Sequence, residues 1–259
     1  MPTFLGKSPK RYGTPSRLCE AARRARAGAK GAKCEASGRM NHSGESRRSR
    51  DSRVSRSDIM KQILPGIWQW SWFSDEKQLD FNGLFLMVGE HKILVDPPPM
   101  TAEGRSFVSR NGPLDYIIVT NRDHIREAAA YQAEFACRLY VPDADAAQMD
   151  AKPTKTYKDG ELLPGGIWAI QLSHQKSPGE SALFLERGQG IMIVGDALIG
   201  KPAGAVSLLP AEKYPDAAKV KDGLRRLLKY NFDSLVVGDG ASILAGGKPA
   251  VERLLGVPS

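Results

Sequence analysis

The sequence predicts an α/β fold in which buried strands end in polar loops, and two observations support this class. The first is the stretch 114–127, where the apolar run 116–119 gives way at Thr120 to polar residues and then to a helical pattern. An unbroken apolar run of this kind is typical of a strand covered on both faces. The second is that polar loops also follow the apolar runs 170–172, 191–194 and 234–237. Because loops at the carboxyl ends of strands project into a shared crevice, we expect these four loops to form the site.

The first half of the domain is predicted to contain mainly strands. An entry strand over 63–70 bends at Pro65 and Gly66, and a hairpin follows with strands over 82–88 and 93–96. Three prolines end this hairpin at 97–99, because proline donates no hydrogen bond to a sheet. A strand over 116–119, an alanine-rich helix over 126–135 and a strand over 138–141 come next. The segments 71–80 and 104–113 are predicted as loops.

The second half is predicted to change from strands to helices. Short strands over 157–160 and 165–172 precede a hairpin with strands over 182–185 and 191–194, whose turn contains Gly188 and Gly190. After a loop over 200–215, apolar residues recur at helical spacing over 217–228. A strand over 234–237 and a helix over 249–255, with proline in its first turn, complete the domain.

The basic charge of the chain is concentrated at its beginning. The 259 residues carry a net charge of +8, but residues 1–59 hold 15 Lys and Arg against 5 Asp and Glu, which leaves 22 of the 37 basic and 24 of the 29 acidic residues for 60–259. With only two aromatic residues, this extension cannot bury enough apolar surface to offset ordering, so we expect disorder. A nucleic-acid arm, a transit peptide and an upstream extension from a misplaced start codon all fit it. We favour the last, with a domain over 60–259 that begins at Met60, and nucleic-acid binding is the weakest hypothesis.

The remaining composition indicates a soluble cytoplasmic protein without a membrane partner. No stretch approaches the roughly 18 consecutive apolar residues that a transmembrane helix requires. Cys19 and Cys34 lie in the basic extension, which leaves Cys137 as the single cysteine of the domain. The absence of a cysteine pair in the domain fits a reducing compartment.

The candidate site residues can also be interpreted as purely structural. Asp123 could cap the helix that follows it, and His124 could be a loop histidine bonded to backbone. Asp196 and Asp239 each follow a glycine at a strand end, which lets a carboxylate point out of the turn. Aspartate after a strand also commonly bonds its own backbone.

The order of these motifs resembles the metallo-β-lactamase superfamily over essentially all of residues 60–259. The matching segments are NGLFLMVGEHKILVDP for its opening hairpin, VTNRDH for its HxHxDH motif, KSPGES for its HTPGS loop, IVGDAL for its bridging aspartate and VVGDG for its terminal histidine loop. The resemblance implies a four-layer αββα sandwich. It also implies one or two metal ions, often zinc, that generate hydroxide to hydrolyse lactams, thioesters, lactones or phosphoesters.

The chain departs from this family at most histidine positions. Val119, Asn121 and Lys176 stand where the first metal position would have histidines, so the resemblance implies that this position is empty. The second position keeps four residues that can bind a metal, namely Asp123, His124, Asp196 and Asp239. Three carboxylates and one imidazole suit Mn²⁺, Fe²⁺ or Mg²⁺ at least as well as Zn²⁺. His174 would reach the pocket only if its loop changed register.

Two functions therefore remain open. The first is a hydrolase that uses one divalent ion on a small ester, thioester, lactone or phosphoester, with Asp123 and Lys176 as candidate catalytic residues. The second is a metal-free binding or regulatory protein, in which the ammonium of Lys176 neutralises Asp196 and Arg122 serves the same purpose. We place the hydrolase first because a complete second donor set survives. Whether the chain is an enzyme stays open, as does its oligomeric state, and either function predicts a small-molecule substrate or ligand.

Overall fold

The computed structural model describes residues 59–257. The predictions for the basic extension therefore concern residues outside this range, apart from Ile59. Among the described residues, no helix has the length and apolar character needed to cross a membrane.

The first sheet has seven strands in the same order as in the chain. Four antiparallel strands, β1 (Lys61–Leu64), β2 (Ile67–Ser74), β3 (Leu79–Val88) and β4 (His91–Val95), precede three that continue in parallel, β5 (Tyr116–Ile118), β6 (Arg138–Pro142) and β7 (Lys155–Tyr157). Gly66 (φ 75°) and Gly89 (φ 59°) lie in the two tight turns, where positive φ favours glycine. The predicted turn at 65–66 and the first hairpin are confirmed.

The second sheet has five strands in the order β12-β11-β10-β9-β8. These are β8 (Leu162–Leu163), β9 (Ile167–Gln171), β10 (Ser181–Leu185), β11 (Ile191–Val194) and β12 (Ser234–Val237). All neighbours are antiparallel except β11 and β12, which run parallel. The carboxyl ends of β11 and β12 therefore lie side by side, which brings the residues after each strand together.

Four α-helices cover the outer faces of the two sheets. They are α1 (Ala102–Arg110), α2 (Ala128–Phe135), α3 (Val220–Leu224) and α4 (Gly247–Leu255), and short 3-10 helices lie at Arg122–Ile125, Ala146–Gln148, Ala211–Lys213, Ala217–Lys219 and Arg225–Lys229. Three apolar clusters separate the layers. Ile93 packs inward between the sheets, whereas its neighbour Leu94 packs outward with Val108 of α1. On the other side Leu235 of β12 packs with Val251 of α4. This arrangement is a four-layer αββα sandwich, as predicted.

Two segments predicted as loops are largely regular structure. Within 71–80, β2 continues to Ser74 and β3 begins at Leu79, because Trp72 and Phe73 favour a strand even though they are about 41% exposed. Within 104–113, most residues belong to α1, whose N-terminus is capped by the Thr101 hydroxyl accepting from the Gly104 amide at 3.2 Å. The helix expected over 217–228 is a short α-helix between two 3-10 turns.

Candidate functional site

The four polar loops line one pocket of about 550 Å³ at the edge where the two sheets meet. Asp123 and His124 follow β5, Lys176 lies in the β9–β10 loop, and Asp196 and Asp239 follow β11 and β12. These five residues were predicted from sequence to converge, and the structure brings all of them to the pocket.

Glycine at two strand ends allows the loops to approach closely. A Cβ atom at Gly195 would collide with the Thr120 hydroxyl, and one at Gly238 would collide with the imidazole of His124. Both glycines precede the site aspartates directly. Their missing side chains therefore let the second sheet contact the loop that carries His124.

His124 is buried between two carboxylates. Its Nδ1 atom is 2.8 Å from Asp96 Oδ2, and its Nε2 atom is 3.6 Å from Asp196 Oδ1. Burial and the charge of Arg126 oppose protonation, but Asp96 and Asp196 outweigh them and raise the pKa of His124 to about 10. The two carboxylates therefore favour the charged imidazolium form of the side chain.

Asp96 is a site residue that the sequence analysis missed. Its carboxylate also accepts hydrogen bonds from the Thr120 amide at 2.7 Å and the Thr120 hydroxyl at 2.6 Å, so it fixes both His124 and the start of its loop. A signal was present, because Asp96 follows the buried run 93–95 just as Asp196 and Asp239 follow theirs.

Lys176 joins two of the carboxylates. Its Nζ atom lies 2.8 Å from Asp196 Oδ2 and 3.0 Å from Asp123 Oδ2. Although burial opposes ionisation of Asp196, His124 and Lys176 hold the pKa of that carboxyl well below its usual range. Burial lowers the pKa of Lys176 itself, but the two aspartates raise it by more, so the ammonium stays charged. The ion pair considered from the sequence is thus present, with Asp123 as a second partner.

Arg126 is the second cation of the site and was not predicted. Its Nη2 atom donates to Asp239 Oδ1 at 2.6 Å and lies 3.3 Å from His124 Nε2, while Nη1 donates to the backbone oxygens of Asn82 and Asp96 at 2.8 and 3.0 Å. Its backbone has φ 37°, which is uncommon for a residue with a side chain and is found mainly at constrained sites. Burial raises the pKa of Asp239, whereas the charges of His124 and Arg126 act in the opposite direction.

The two other sequence candidates lie elsewhere. Arg122, considered as a partner for the aspartates, donates instead to the side chain of Gln148 and does not line the pocket. Arg126, four residues later, neutralises a site aspartate, which is the role that the sequence analysis gave to Arg122. His174 is exposed and also lies outside the pocket lining.

Asp145 connects two loops of the site, the loop after β5 and the β9–β10 loop. Its buried carboxylate accepts from the Arg122 amide at 2.9 Å, from the Ser177 hydroxyl at 2.7 Å and from the Gly179 amide at 2.8 Å. The first donor lies beside Asp123 and the other two lie in the loop of Lys176. Asp145 therefore positions both partners of that ion pair.

Comparison with known proteins agrees with this fold. A family model described as the metallo-beta-lactamase superfamily matches residues 60–256. The chain belongs to the metallo-β-lactamase superfamily. Its fold is similar to that of the DIM-1 metallo-beta-lactamase (TM-score 0.64, 14% identity, 76% of this chain and 96% of that one).

Two further solved structures of this superfamily share the fold. One is a metallo-beta-lactamase from Pontibacter korlensis (TM-score 0.63, 14% identity, 76% and 98% of the two chains). The other is a metallo-beta-lactamase family protein from Thermus thermophilus (TM-score 0.58, 15% identity, 75% and 80%). Among curated proteins, none matches this chain.

The first metal position of the superfamily does not fit an ion here. Val119 is fully buried in the apolar cluster under α1 and α2, and it has no donor atom. The side-chain oxygen of Asn121 accepts from the amides of Asp123 and His124, so it caps the 3-10 helix. Lys176 brings a positive charge to the position of the third ligand.

The second position has a partial set of donors, which are engaged with cations. His124, Asp196 and Asp239 each offer a ligand atom within 4.8 Å of the others. Asp123 does not join this group; its side chain is 40% exposed and pairs with Lys176. An ion would have to displace Arg126 from Asp239 and take the proton of His124, because a metal binds the neutral imidazole.

Proposed function

We propose that this protein is a metal-free binding protein on a metallo-hydrolase fold, in which Lys176 and Arg126 take the place of the metal charge. The observation that carries this proposal is that every pocket aspartate contacts a cation. Lys176 bridges Asp123 and Asp196, and Arg126 pairs with Asp239 at 2.6 Å. These pairs keep the carboxylates assembled and compensate the negative charge that would otherwise attract a metal ion.

The charges explain why the cations and a metal ion exclude one another. Asp196 and Asp239 are buried, and neighbouring buried carboxylates cannot both remain ionised without compensation. Here the two basic side chains and the imidazolium of His124 supply it. A divalent ion 4 Å from one ammonium would be repelled by roughly 8 kcal/mol at an effective dielectric constant of 20. Such an ion would bind only if Lys176 or Arg126 moved away.

A second candidate function is a hydrolase with a single metal ion, and one observation favours it. The donor atoms of His124, Asp196 and Asp239 already lie within 4.8 Å of one another. These residues would hold the ion, with Asp123 at the rim, and the ion would supply a hydroxide near neutral pH. The oxygen-rich donor set would accept Mn²⁺, Fe²⁺, Mg²⁺ or Zn²⁺.

The two functions differ in metal content. The full-length chain is purified without an affinity metal, incubated with Zn²⁺, Mn²⁺ or Fe²⁺, desalted and measured by elemental analysis. We expect far less than one equivalent of each metal. The metal-free proposal would be refuted, and the hydrolase supported, if the parent chain held one equivalent of bound metal and Asp196→Ala held none.

Stability provides the matched measurement. Lys176→Met leaves Asp196 buried without its ammonium, so we expect it to lower the free energy of unfolding by about 3 kcal/mol. The control is Lys155→Met, which breaks an exposed pair with Glu161 at 3.0 Å and should cost less than about 1 kcal/mol. Equal costs for the two variants would contradict the proposed role of Lys176. The small-molecule ligand and the cytoplasmic location stay predictions.

A further inference from the structure

Two partly apolar segments line the pocket above the ion pairs. The β2–β3 hairpin contributes Leu79 and Phe81, and the loop after β11 contributes Ile199, Leu208 and Leu209. All except Ile199 are only partly buried. At about 550 Å³, the pocket lies within the range of roughly 300–1,000 Å³ that is usual for small-ligand sites. Partly exposed apolar side chains along such a concave surface are suited to the hydrophobic part of a ligand.

Three lysines at the mouth of this pocket carry its remaining positive charge. Lys77 pairs with Glu76 at 2.6 Å. Lys201 and Lys213 form no salt bridge within residues 59–257, because no carboxylate oxygen there lies within 4.0 Å of either Nζ atom. All three line the same pocket as Leu79 and Phe81, so lysines of both segments face the same opening.

The floor cannot satisfy these lysines. Its three aspartates are already paired with Lys176 and Arg126. A charged group from outside the chain would meet unpaired ammonium groups at the mouth, and a positively charged one would be repelled. A small inorganic anion would leave the apolar residues exposed to water. The ligand that fits both features carries a negative charge and a hydrophobic part.

We propose that the pocket binds an organic anion whose carboxylate or phosphate contacts Lys201 and Lys213, while its hydrophobic body lies against Leu79, Phe81 and Leu208. The inference rests on the metal-free floor proposed above, because a bound metal would itself attract the anion. Lysine acts as a flexible point charge, so it accepts either head group.

Isothermal titration calorimetry of the full-length chain in EDTA tests the ligand class. The probes are octanoate and octyl phosphate, with octanol and octylammonium as neutral and cationic counterparts and acetate and inorganic phosphate as head groups alone. We expect at least one octyl anion to bind, and the neutral and cationic probes to bind about tenfold more weakly, since two exposed lysine contacts of about threefold each are lost. The stronger of the two octyl anions identifies the head group. Acetate and inorganic phosphate should show no binding at the same concentration.

Variants at the exposed Lys201 and Lys213 and at the partly buried Leu208 test the residues without changing the ion pairs of the floor. Lys201→Ala combined with Lys213→Ala should weaken octyl anion binding by about tenfold, and Leu208→Ser should weaken it while leaving the charge preference unchanged. The control is Lys221→Ala, an exposed lysine of α3 outside the pocket, which should bind as the parent does.

The possible failures are distinguishable. Binding of octyl anions that requires an added divalent metal would refute the metal-free proposal for the floor. Tight binding of octylammonium, an unchanged affinity in the double lysine variant, or no binding of either octyl anion at millimolar concentration would overturn the anion inference. Those three results leave the metal content of the floor unaffected, because it is measured separately.

Discussion

Arg126→Met provides the sharpest test of the ion-paired site. The substitution removes the guanidinium but keeps most of the aliphatic stem. Both Arg126 and its partner Asp239 have side chains only 9% exposed, and the guanidinium lies 4.9 Å above the ring of Phe81. The variant therefore leaves a buried carboxylate without a cation, and the backbone oxygens of Asn82 and Asp96 lose their donors.

The expected cost follows from these contacts. Removing one partner of a buried ion pair costs about 3–5 kcal/mol. The two carbonyl groups that lose a donor add little to this cost if water molecules hydrogen-bond to them instead. At about 2–4 °C per kcal/mol for a domain of this size, the melting temperature should fall by about 6–20 °C. A domain has a total stability of about 5–15 kcal/mol, so the variant should be marginal but measurable.

Urea unfolding of the full-length chain measures this cost. A double-mutant cycle with Asp239→Asn isolates the pair, and we expect a coupling energy of about 1–3 kcal/mol. Arg126→Lys keeps the positive charge, so it is a milder variant that can be measured if Arg126→Met does not fold. A cost no larger than that of Lys155→Met, together with no coupling to Asp239, would refute the role assigned to this arginine.

Three further predictions concern the framework of the site. The pKa of His124 is about 10 in the folded chain against 6.5 as its ordinary value, so its stabilising contribution is complete below pH 6.5 and is lost as the pH rises towards 10. Urea unfolding should show stability falling over this window by up to about 1.4 kcal/mol per pH unit, and His124→Gln should remove that slope; an unchanged slope contradicts the assignment. Asp145→Asn should lower stability by about 2 kcal/mol and speed amide hydrogen exchange over 173–180, whereas unchanged exchange would exclude its positioning role. Gly238→Ala places a Cβ against His124 and should cost about 1–3 kcal/mol by thermal unfolding, and an unchanged melting temperature would contradict the close contact.

Most strands and the order of the site loops could be predicted from the sequence. The strands over 191–194 and 234–237 agree with β11 and β12 residue for residue, because a buried strand needs a continuous apolar run and that run is local in the chain. The helix α1 was missed, since its polar composition and Gly104 hide a short amphipathic pattern. The four-layer arrangement came from the resemblance in motif order rather than from any single motif.

The partners of the carboxylates were decided by the tertiary structure. Arg122 and Arg126 are four residues apart and carry the same side chain, yet only Arg126 reaches the pocket. It does so through a turn with φ 37°, which could not be predicted from the residue type. Asp96 was predicted only as the end of a strand, although it orients His124 from 28 residues away.

The sequence by itself determined which segments are buried and which polar residues follow them, because hydrophobic periodicity is a property of neighbouring residues. Only the tertiary structure decided that Lys176, Arg126 and His124 compensate the aspartates. Electrostatic interactions depend on distances of about 3 to 4 Å in space and on burial, and both are set by the packing of the two sheets rather than by spacing along the chain.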